Sequence, residues 1–154
     1  MRTLDDFFPG QTFTAGPEEV TREEVISFAQ RYDPQYFHLD DTTARDSLFG
    51  GLAASGWLTA ALTMRMMVAS RIDILGGMIG REIESLRWPR PVYPGDSLRT
   101  ITTILEVLPS RNKPDRGTLR WRTETLNQKD EPVQVMTCAV FVPRLPGSET
   151  PAQD

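Results

Sequence analysis

The sequence predicts an α+β domain in which an antiparallel sheet curls around one long, apolar helix. Two observations support this fold class. A helix predicted at residues 56–71 has apolar side chains on most sides, and such a helix is usually buried. Several stretches with strand character surround it in the chain, without the helix–strand alternation of a doubly wound fold. A sheet wrapped around the helix satisfies both observations.

The first helix is predicted at residues 21–32. Its opening letters, TREE, fit a capping box, in which a threonine and a glutamate three residues later satisfy each other's backbone N–H groups. The helix should end before Asp33, because the residue preceding a proline is disfavoured in helical conformation and Pro34 follows. We therefore expect Asp33 and His38, the chain's single histidine, on irregular chain at the exit of this helix.

Two further helices are expected before the strands. A short one is predicted from about Asp41, ended by Gly50 and Gly51. The long apolar helix follows, with Ser55 as its N-cap.

The remaining regular elements are predicted to be strands, at residues 80–88, 96–108, 117–127 and 131–142, with a possible edge strand at 12–16. The third of these alternates charged side chains with Leu, Trp and Thr at a period of two, as a strand with one buried face does. The last is mostly apolar on both faces, which predicts a central position in the sheet. Residues 90–96 and 127–131 have the composition of turns.

Length and composition restrict the function classes. The 154 residues suit one domain, expected at 1–146, followed by a polar, proline-rich tail at 147–154. The net charge of −4 argues against nucleic acid or an anionic membrane as partner. Cys138 is the single cysteine and cannot form an internal disulfide, so we expect a cytoplasmic protein. Neither a signal-peptide pattern nor an apolar run of about 18 residues is found.

The stretch YDPQYFHLDDTTARDSLFGGLAASGWLTAAL resembles the MaoC-like dehydratases, a family that includes the R-specific enoyl-CoA hydratases. The resemblance lies in a D-P-x-x-x-H core, a short spacer, an F-G-G turn and a small S-G step into the long helix. The later segments LRWPRPVYPGDSL and NQKDEPV are also similar to the family, although a glycine is expected in place of Asp130. Together these segments extend the resemblance over roughly residues 5–145.

The resemblance implies a hotdog fold, the arrangement of a long central helix wrapped by a curved antiparallel sheet. It also implies a homodimer or a higher homo-oligomer, with an acyl-CoA tunnel near the dimer interface. The implied reaction is reversible hydration of a 2-enoyl-CoA thioester to the 3-hydroxyacyl-CoA, without a cofactor. The sequence contains no nucleotide-binding glycine motif and no cluster of metal ligands.

Hydration of an enoyl thioester requires a base for the attacking water, a proton for C2 and stabilisation of the thioester oxygen. Asp33 and His38 suit the first two needs, because a carboxylate and an imidazole can hold one water and pass a proton either way. Gly56 suits the third, because N–H groups at a helix N-terminus lack intrahelical partners. Taken alone, His38 would be a packed or surface residue and Asp33 a turn residue. The surrounding motif favours the catalytic interpretation.

Contacts to the substrate are predicted around this site, from Phe49, Gly51, Ser55, Trp57 and Met64. Each has a simpler alternative. Ser55 would be an N-cap alone, the glycines turn formers and Trp57 part of the core or tunnel wall. Met64 stands where some members of the family have a serine that touches the substrate.

The loop PSRNKPDRG contains cations that could contact coenzyme A, the carrier of the acyl group. Arg111 and Lys113 are predicted to meet the phosphates of coenzyme A. The alternative is a solvated turn between two strands.

Two other functions remain open from the sequence. The first is a hotdog thioesterase, but such enzymes usually place a carboxylate on or near the central helix, and residues 56–71 contain no Asp or Glu. The second is a non-catalytic acyl-CoA-binding subunit, which would have no need of the Asp33–His38 pair. Fold alone does not separate these functions from a hydratase.

Overall fold

A computed structural model describes residues 1–145 of the chain, so the predicted tail at 147–154 lies outside the described residues. Five antiparallel strands form one sheet in the order β1-β3-β4-β5-β2. Their bounds are β1 Thr12–Glu19, β2 Ile79–Arg87, β3 Ser97–Pro109, β4 Arg116–Leu126 and β5 Pro132–Pro143. The helices are α1 Arg22–Tyr32, α2 Asp41–Ala44 and α3 Gly56–Ala69, with 3-10 turns at Leu4–Asp6 and Tyr36–His38. Within the described part of the chain, no helix has both the length and the apolar character needed to cross a membrane.

The start and end of α1 confirm the sequence prediction. The Glu24 N–H donates to Thr21 Oγ1 at 3.1 Å and the Thr21 N–H donates to Glu24 Oε2 at 3.3 Å, which is the reciprocal capping box. After Tyr32 the chain leaves helical geometry, with Asp33 at φ −149° and ψ 67°. The last backbone bond of the helix runs from the Asp33 N–H to the Ala29 carbonyl at 3.0 Å.

The prediction that α2 continues to Gly50 is wrong. The helix begins as expected, with Asp40 accepting a hydrogen bond from the Thr43 N–H at 2.8 Å, but it ends at Ala44. The Ser47 hydroxyl donates to the Ala44 carbonyl at 2.6 Å and so supplies the partner that a further helical turn would have provided. A turn therefore occupies the chain up to Gly50.

The sheet has the strand positions that the sequence predicts, to within one residue at most strand ends. On β4, Leu119, Trp121, Thr123 and Thr125 are buried. β5 pairs with β4 on one side and β2 on the other, which confirms its central position. β1 pairs with β3 and lies at one edge, as expected, but it continues past Gly16 to Glu19.

The central helix packs against the sheet, and this is the hotdog arrangement. α3 contributes to two hydrophobic clusters, Met67 to one and Leu58, Leu62 and Met66 to the other. The expectation of a helix buried on all sides is wrong for the single chain, because Trp57, Met64 and Val68 are 59%, 47% and 66% exposed. One apolar face of the helix is therefore open.

Residue 130 shows why a glycine was expected in the β4–β5 turn. Asp130 has φ +60°, in the left-handed region that glycine enters most easily. Its N–H donates to the Asn127 carbonyl at 3.0 Å, which closes the turn. Aspartate is one of the few other residues that adopt this conformation without a large cost.

Candidate active site

Asp33 lies at the exit of α1, where its carboxylate is held from both sides. Gln35 Nε2 donates to Oδ1 at 2.7 Å and Ser55 Oγ donates to Oδ2 at 2.6 Å. Burial raises the pKa of the Asp33 carboxyl, but the hydrogen bonds from Ser55 and Gln35 hold that pKa below its usual value. Asp33 is therefore a carboxylate at neutral pH.

His38 ends the short 3-10 turn and is only 4% exposed. Its Nδ1 lies 2.6 Å from the Ala53 carbonyl oxygen. Because a carbonyl oxygen can only accept, Nδ1 carries the proton of this hydrogen bond, and Nε2 of the neutral ring has a free lone pair. The rings of Phe37 and Phe49 pack against the imidazole at centroid distances of 4.6 and 5.9 Å and fix its orientation.

The two groups face each other across a short gap. His38 Nε2 lies 3.4 Å from Asp33 Oδ2. With Nδ1 protonated, both facing atoms are hydrogen-bond acceptors, so neither satisfies the other. A water molecule placed beside the pair, at hydrogen-bond distance from both atoms, can donate one hydrogen to each.

The N-terminus of α3 borders the same space. Ser55 is fully buried and acts both as the N-cap, accepting from the Trp57 N–H at 3.2 Å, and as the donor to Asp33. N-capping therefore accounts for one of these two side-chain hydrogen bonds of Ser55, and the bond to Asp33 is the other. Within residues 1–145 no acceptor is found for the Gly56 N–H, as expected for the first residue of a helix.

These groups line one cavity of about 420 Å³. The predicted site residues in its wall are Asp33, His38, Phe49, Ser55, Gly56 and Trp57. Sequence reasoning missed Gln35, Phe37, Trp88 and Arg90, which also line the cavity. The motif could have pointed to Gln35 and Phe37, since both lie inside its D-P-x-x-x-H core. Trp88 and Arg90 lie outside the motif, on the loop after β2.

The other predicted contacts lie elsewhere on the chain. Met64 lines a separate apolar cavity of about 330 Å³, with Ile83 of β2 among its other walls. Lys113 lines a polar hollow of about 390 Å³ that also contains Arg81 and Arg116. Arg111 is exposed on the loop that leads into this hollow.

Gly51 follows the turn at Gly50, which has φ +66°, and it is not among the residues that line the Asp33 cavity. No group of three or more His, Cys, Asp or Glu side chains suited to a metal ion occurs in residues 1–145.

Comparisons with known proteins indicate the family of the chain. The family model described as the MaoC like domain matches residues 6–124. The protein YdeM of Bacillus subtilis is 33% identical over 144 residues, which cover 92% of this chain and 99% of YdeM. The crystal structure of a MaoC-like dehydratase from Rhodospirillum rubrum aligns with a TM-score of 0.91 and 45% identity, over 95% of this chain and 99% of that one.

A third comparison concerns the fold alone. The unliganded R-hydratase PhaJ1 from Pseudomonas aeruginosa aligns with a TM-score of 0.72 and 24% identity, over 99% of this chain and 95% of that one. The two chains therefore share their architecture.

Proposed function

The chain belongs to the MaoC-like dehydratase family, and from this premise we propose that it adds water reversibly to a 2-enoyl-CoA thioester, giving the 3-hydroxyacyl-CoA. The observation that carries the proposal is the pair of facing acceptors, His38 Nε2 and Asp33 Oδ2, 3.4 Å apart in a cavity that also contains the Gly56 N–H. The fold shared with an R-hydratase is consistent with this reaction class.

In the proposed mechanism one water donates a hydrogen bond to each acceptor. Its oxygen attacks C3 while Asp33 or His38 takes a proton, and a proton is delivered from the pair to C2. One O–H bond of water and the C2=C3 π bond break, the O–C3 and C2–H bonds form, and the pair returns to its starting protonation state. Such acid–base assistance is typically worth ~10²–10⁴ in rate. The Ala53 carbonyl stabilises His38 in the tautomer that leaves Nε2 free.

Gly56 is proposed to donate its N–H to the thioester oxygen as enolate character develops. The group has no partner among the described residues, and the helix dipole of α3 favours negative charge at this end. A single backbone or side-chain donor of this type is typically worth ~10²–10³ in rate.

A homodimer is proposed because β2 leaves one edge of the sheet unpaired in the described chain. Exposed apolar side chains lie on β2 and on the open face of α3, namely Ile79, Ile83, Met64 and Val68. Met64 and Ile83 line the same apolar cavity, so these two surfaces are adjacent. An exposed edge strand beside an apolar patch is typical of an interface.

The dimer proposal also gives Arg111 and Lys113 a role. Lys113 shares its hollow with Arg81 near the start of β2, whereas the Asp33 cavity includes Trp88 just after its end. If two β2 edges pair antiparallel about a two-fold axis, the start of one strand lies beside the end of the other. The partner's Lys113 would then face the Asp33 cavity, where it could bind the carrier's phosphates.

Met64 is proposed to contact only the far end of long acyl groups. It lies eight residues after Gly56, which corresponds to ~12 Å along a helix axis. Short acyl groups bound at Gly56 would not reach its cavity.

The first experiment separates hydration from hydrolysis. Purified protein is mixed with crotonyl-CoA and with longer and branched 2-enoyl-CoA thioesters, and enoyl absorbance and free thiol are followed together. Loss of enoyl absorbance without thiol release supports the hydratase. Thiol release would favour the thioesterase instead. A lack of change with every substrate would contradict both enzymes and favour an acyl-CoA-binding subunit.

A further inference from the structure

A buried amide in the sheet is connected to the cavity wall. Gln134 lies on β5, is fully buried, and makes two side-chain hydrogen bonds. Its Oε1 accepts from Trp88 Nε1 at 2.9 Å, and its Nε2 donates to Thr63 Oγ1 at 3.1 Å. A buried amide that lost these partners would be costly, so the pairing holds Trp88 in one orientation.

The central helix anchors the other end of this connection. Thr63 on α3 is fully buried, and its hydroxyl lies 2.8 Å from the Thr59 carbonyl and 2.7 Å from Thr125 Oγ1 on β4. Gln134 therefore links a loop residue to both the helix and the sheet. Polar networks that are fully satisfied in this way make a local structure rigid.

Trp88 packs directly on the residue whose N–H is proposed to bind the thioester oxygen. A Cβ atom placed on Gly56 would lie 2.7 to 3.0 Å from three atoms of the Trp88 ring, a separation that real Cβ atoms do not show. The indole therefore occupies the space beside Gly56, and this contact accounts for the glycine independently of any approach by substrate. The ring of Trp57 meets Trp88 edge-on at 5.3 Å and extends the same wall.

We propose that Trp88 is a positioning residue, locked by Gln134, which fixes the first turn of α3 and with it the direction of the Gly56 N–H. The effect of Trp88 on catalysis rests on the hydratase function proposed above. Its effect on the position of the Gly56 backbone is independent of that function. A donor acts best when it is preorganised, and a misplacement of ~1 Å can cost ~10² in rate. Gln134 thus acts on the site through Trp88, without touching the substrate.

The test compares Gln134→Leu, Trp88→Phe and the double variant. Gln134→Leu removes the acceptor for the indole, while Thr63 keeps its other two partners. Each single variant is expected to lower kcat by ~10- to 100-fold with a smaller change in KM. If Gln134 acts through Trp88, the double variant loses no more than the stronger single variant. Fully additive losses would overturn the proposal.

Thr102→Val is the matched control, because it also removes a buried side-chain hydrogen bond from the sheet, the 2.9 Å contact with Thr123, but away from the cavity. It should keep the wild-type kcat even if its stability falls. A loss of kcat like that of Gln134→Leu would indicate a general effect of sheet destabilisation and would overturn the proposal.

A second readout does not depend on activity. In ¹H–¹⁵N spectra, the Gly56 amide signal and the Trp88 indole signal should both move in Gln134→Leu and stay in place in Thr102→Val. If Gln134→Leu does not fold, Trp88→Phe serves for the Gly56 signal. An unmoved Gly56 signal overturns the positioning role. A moved signal in a protein that hydrates no enoyl thioester supports the positioning role and contradicts the proposed reaction alone.

Discussion

Asp33 has two carboxylate oxygens with different surroundings, and this difference defines its proposed role. Oδ1 is held by Gln35, whereas Oδ2 accepts from Ser55 and faces His38 Nε2. The side chain of Asp33 is 18% exposed and that of His38 is 5% exposed. The pair can therefore reach a bound molecule in the cavity while it is protected from bulk solvent.

Removing either member of the pair should abolish most of the activity without unfolding the protein. Asp33→Asn and His38→Ala are each expected to lower kcat by at least ~10², because the water loses its base or its second acceptor. Steady-state kinetics with the preferred enoyl-CoA measure kcat, and circular dichroism shows whether each variant is folded. Asp40→Asn, at a helix N-cap outside the cavity, is the control and should retain activity. Full activity in either folded site variant would refute the assignment.

As the pH is lowered, the Ser55→Ala variant should lose activity at a higher pH than the wild type does. The Ser55 hydrogen bond lowers the pKa of Asp33, so its removal raises that pKa and the carboxylate is protonated earlier as the pH falls. The acidic limb of the kcat/KM profile is expected to move upward in pH. Ser47→Ala removes a serine bond to a helix end outside the cavity and should leave the limb in place.

The same shift has a consequence for stability. Because the pKa of Asp33 is lowered in the folded protein, its carboxylate stabilises the fold above the unfolded pKa. That stabilisation is lost as the pH falls through the folded pKa. Ser55→Ala should therefore reduce the acid dependence of unfolding that Asp33 contributes, in addition to a loss of ~1 kcal/mol from the missing N-cap. Urea unfolding at several pH values would measure both effects.

The positions of residues near the motif could be predicted from the sequence, but the contacts of distant residues could not. The start of α1 followed from the capping box, and its exit at Asp33 followed from Pro34. Trp88 and Gln134 reach the site from the loop after β2 and from β5, through a hydrogen bond that spans 46 residues. No local pattern encodes a pairing of this kind, because it depends on the register of the strands.

At the scale of elements, the β4–β5 turn offers a direct measurement of backbone strain. Asp130→Ala and Asp130→Gly both remove the 2.9 Å ion pair with Arg99, so that loss cancels between them. Alanine in the left-handed region costs ~1–2 kcal/mol, which exceeds the ~0.5–1 kcal/mol by which glycine is disfavoured through its entropy. The alanine variant should therefore be the less stable of the two in urea unfolding.

Lys129 in the same turn provides the matched comparison, since its φ is not among the positive values in the described chain. Lys129→Gly should be less stable than Lys129→Ala, the reverse order. If the glycine variant is less stable than the alanine variant at both positions 129 and 130, the left-handed conformation of Asp130 has no energetic importance.

Helix α3 was predicted accurately in position but not in surroundings. The sequence predicts its N-cap at Ser55 and shows its apolar composition. An all-round apolar helix was expected to be buried, yet one face is open in the single chain. The pattern of side chains is the same whether a sheet or a second subunit covers a face, so composition cannot distinguish the two.

At the scale of the whole molecule, the proposed dimer should depend on Ile83. This side chain is 61% exposed and lies on β2, the strand at one edge of the described sheet. Ile83→Lys would place a charge in the proposed interface, where desolvation is costly, and should shift the protein toward monomer. Light scattering after size exclusion measures the mass. Leu48→Lys, at an exposed leucine away from β2, is the control and should leave the assembly unchanged.

The shared site can be tested by mixing two inactive variants. If the partner's Lys113 serves the Asp33 cavity, Asp33→Asn and Lys113→Glu fall in the same site of a mixed dimer, and the other of its two sites is intact. Refolding the two variants together should therefore restore part of the activity that neither shows alone. No recovery, with mixed dimers present by mass spectrometry, would refute the shared site.

Cys138 gives this protein an internal reporter of unfolding. It is buried in β5, and burial raises the pKa of its thiol to about 11. Only the thiolate reacts with alkylating or disulfide reagents, so the native state is nearly inert toward them at neutral pH. An unfolded chain exposes the same sulfur at an ordinary pKa. The rate of Cys138 modification therefore measures how often the sheet opens, and the native protein adds almost no background when thiols released from a substrate are counted.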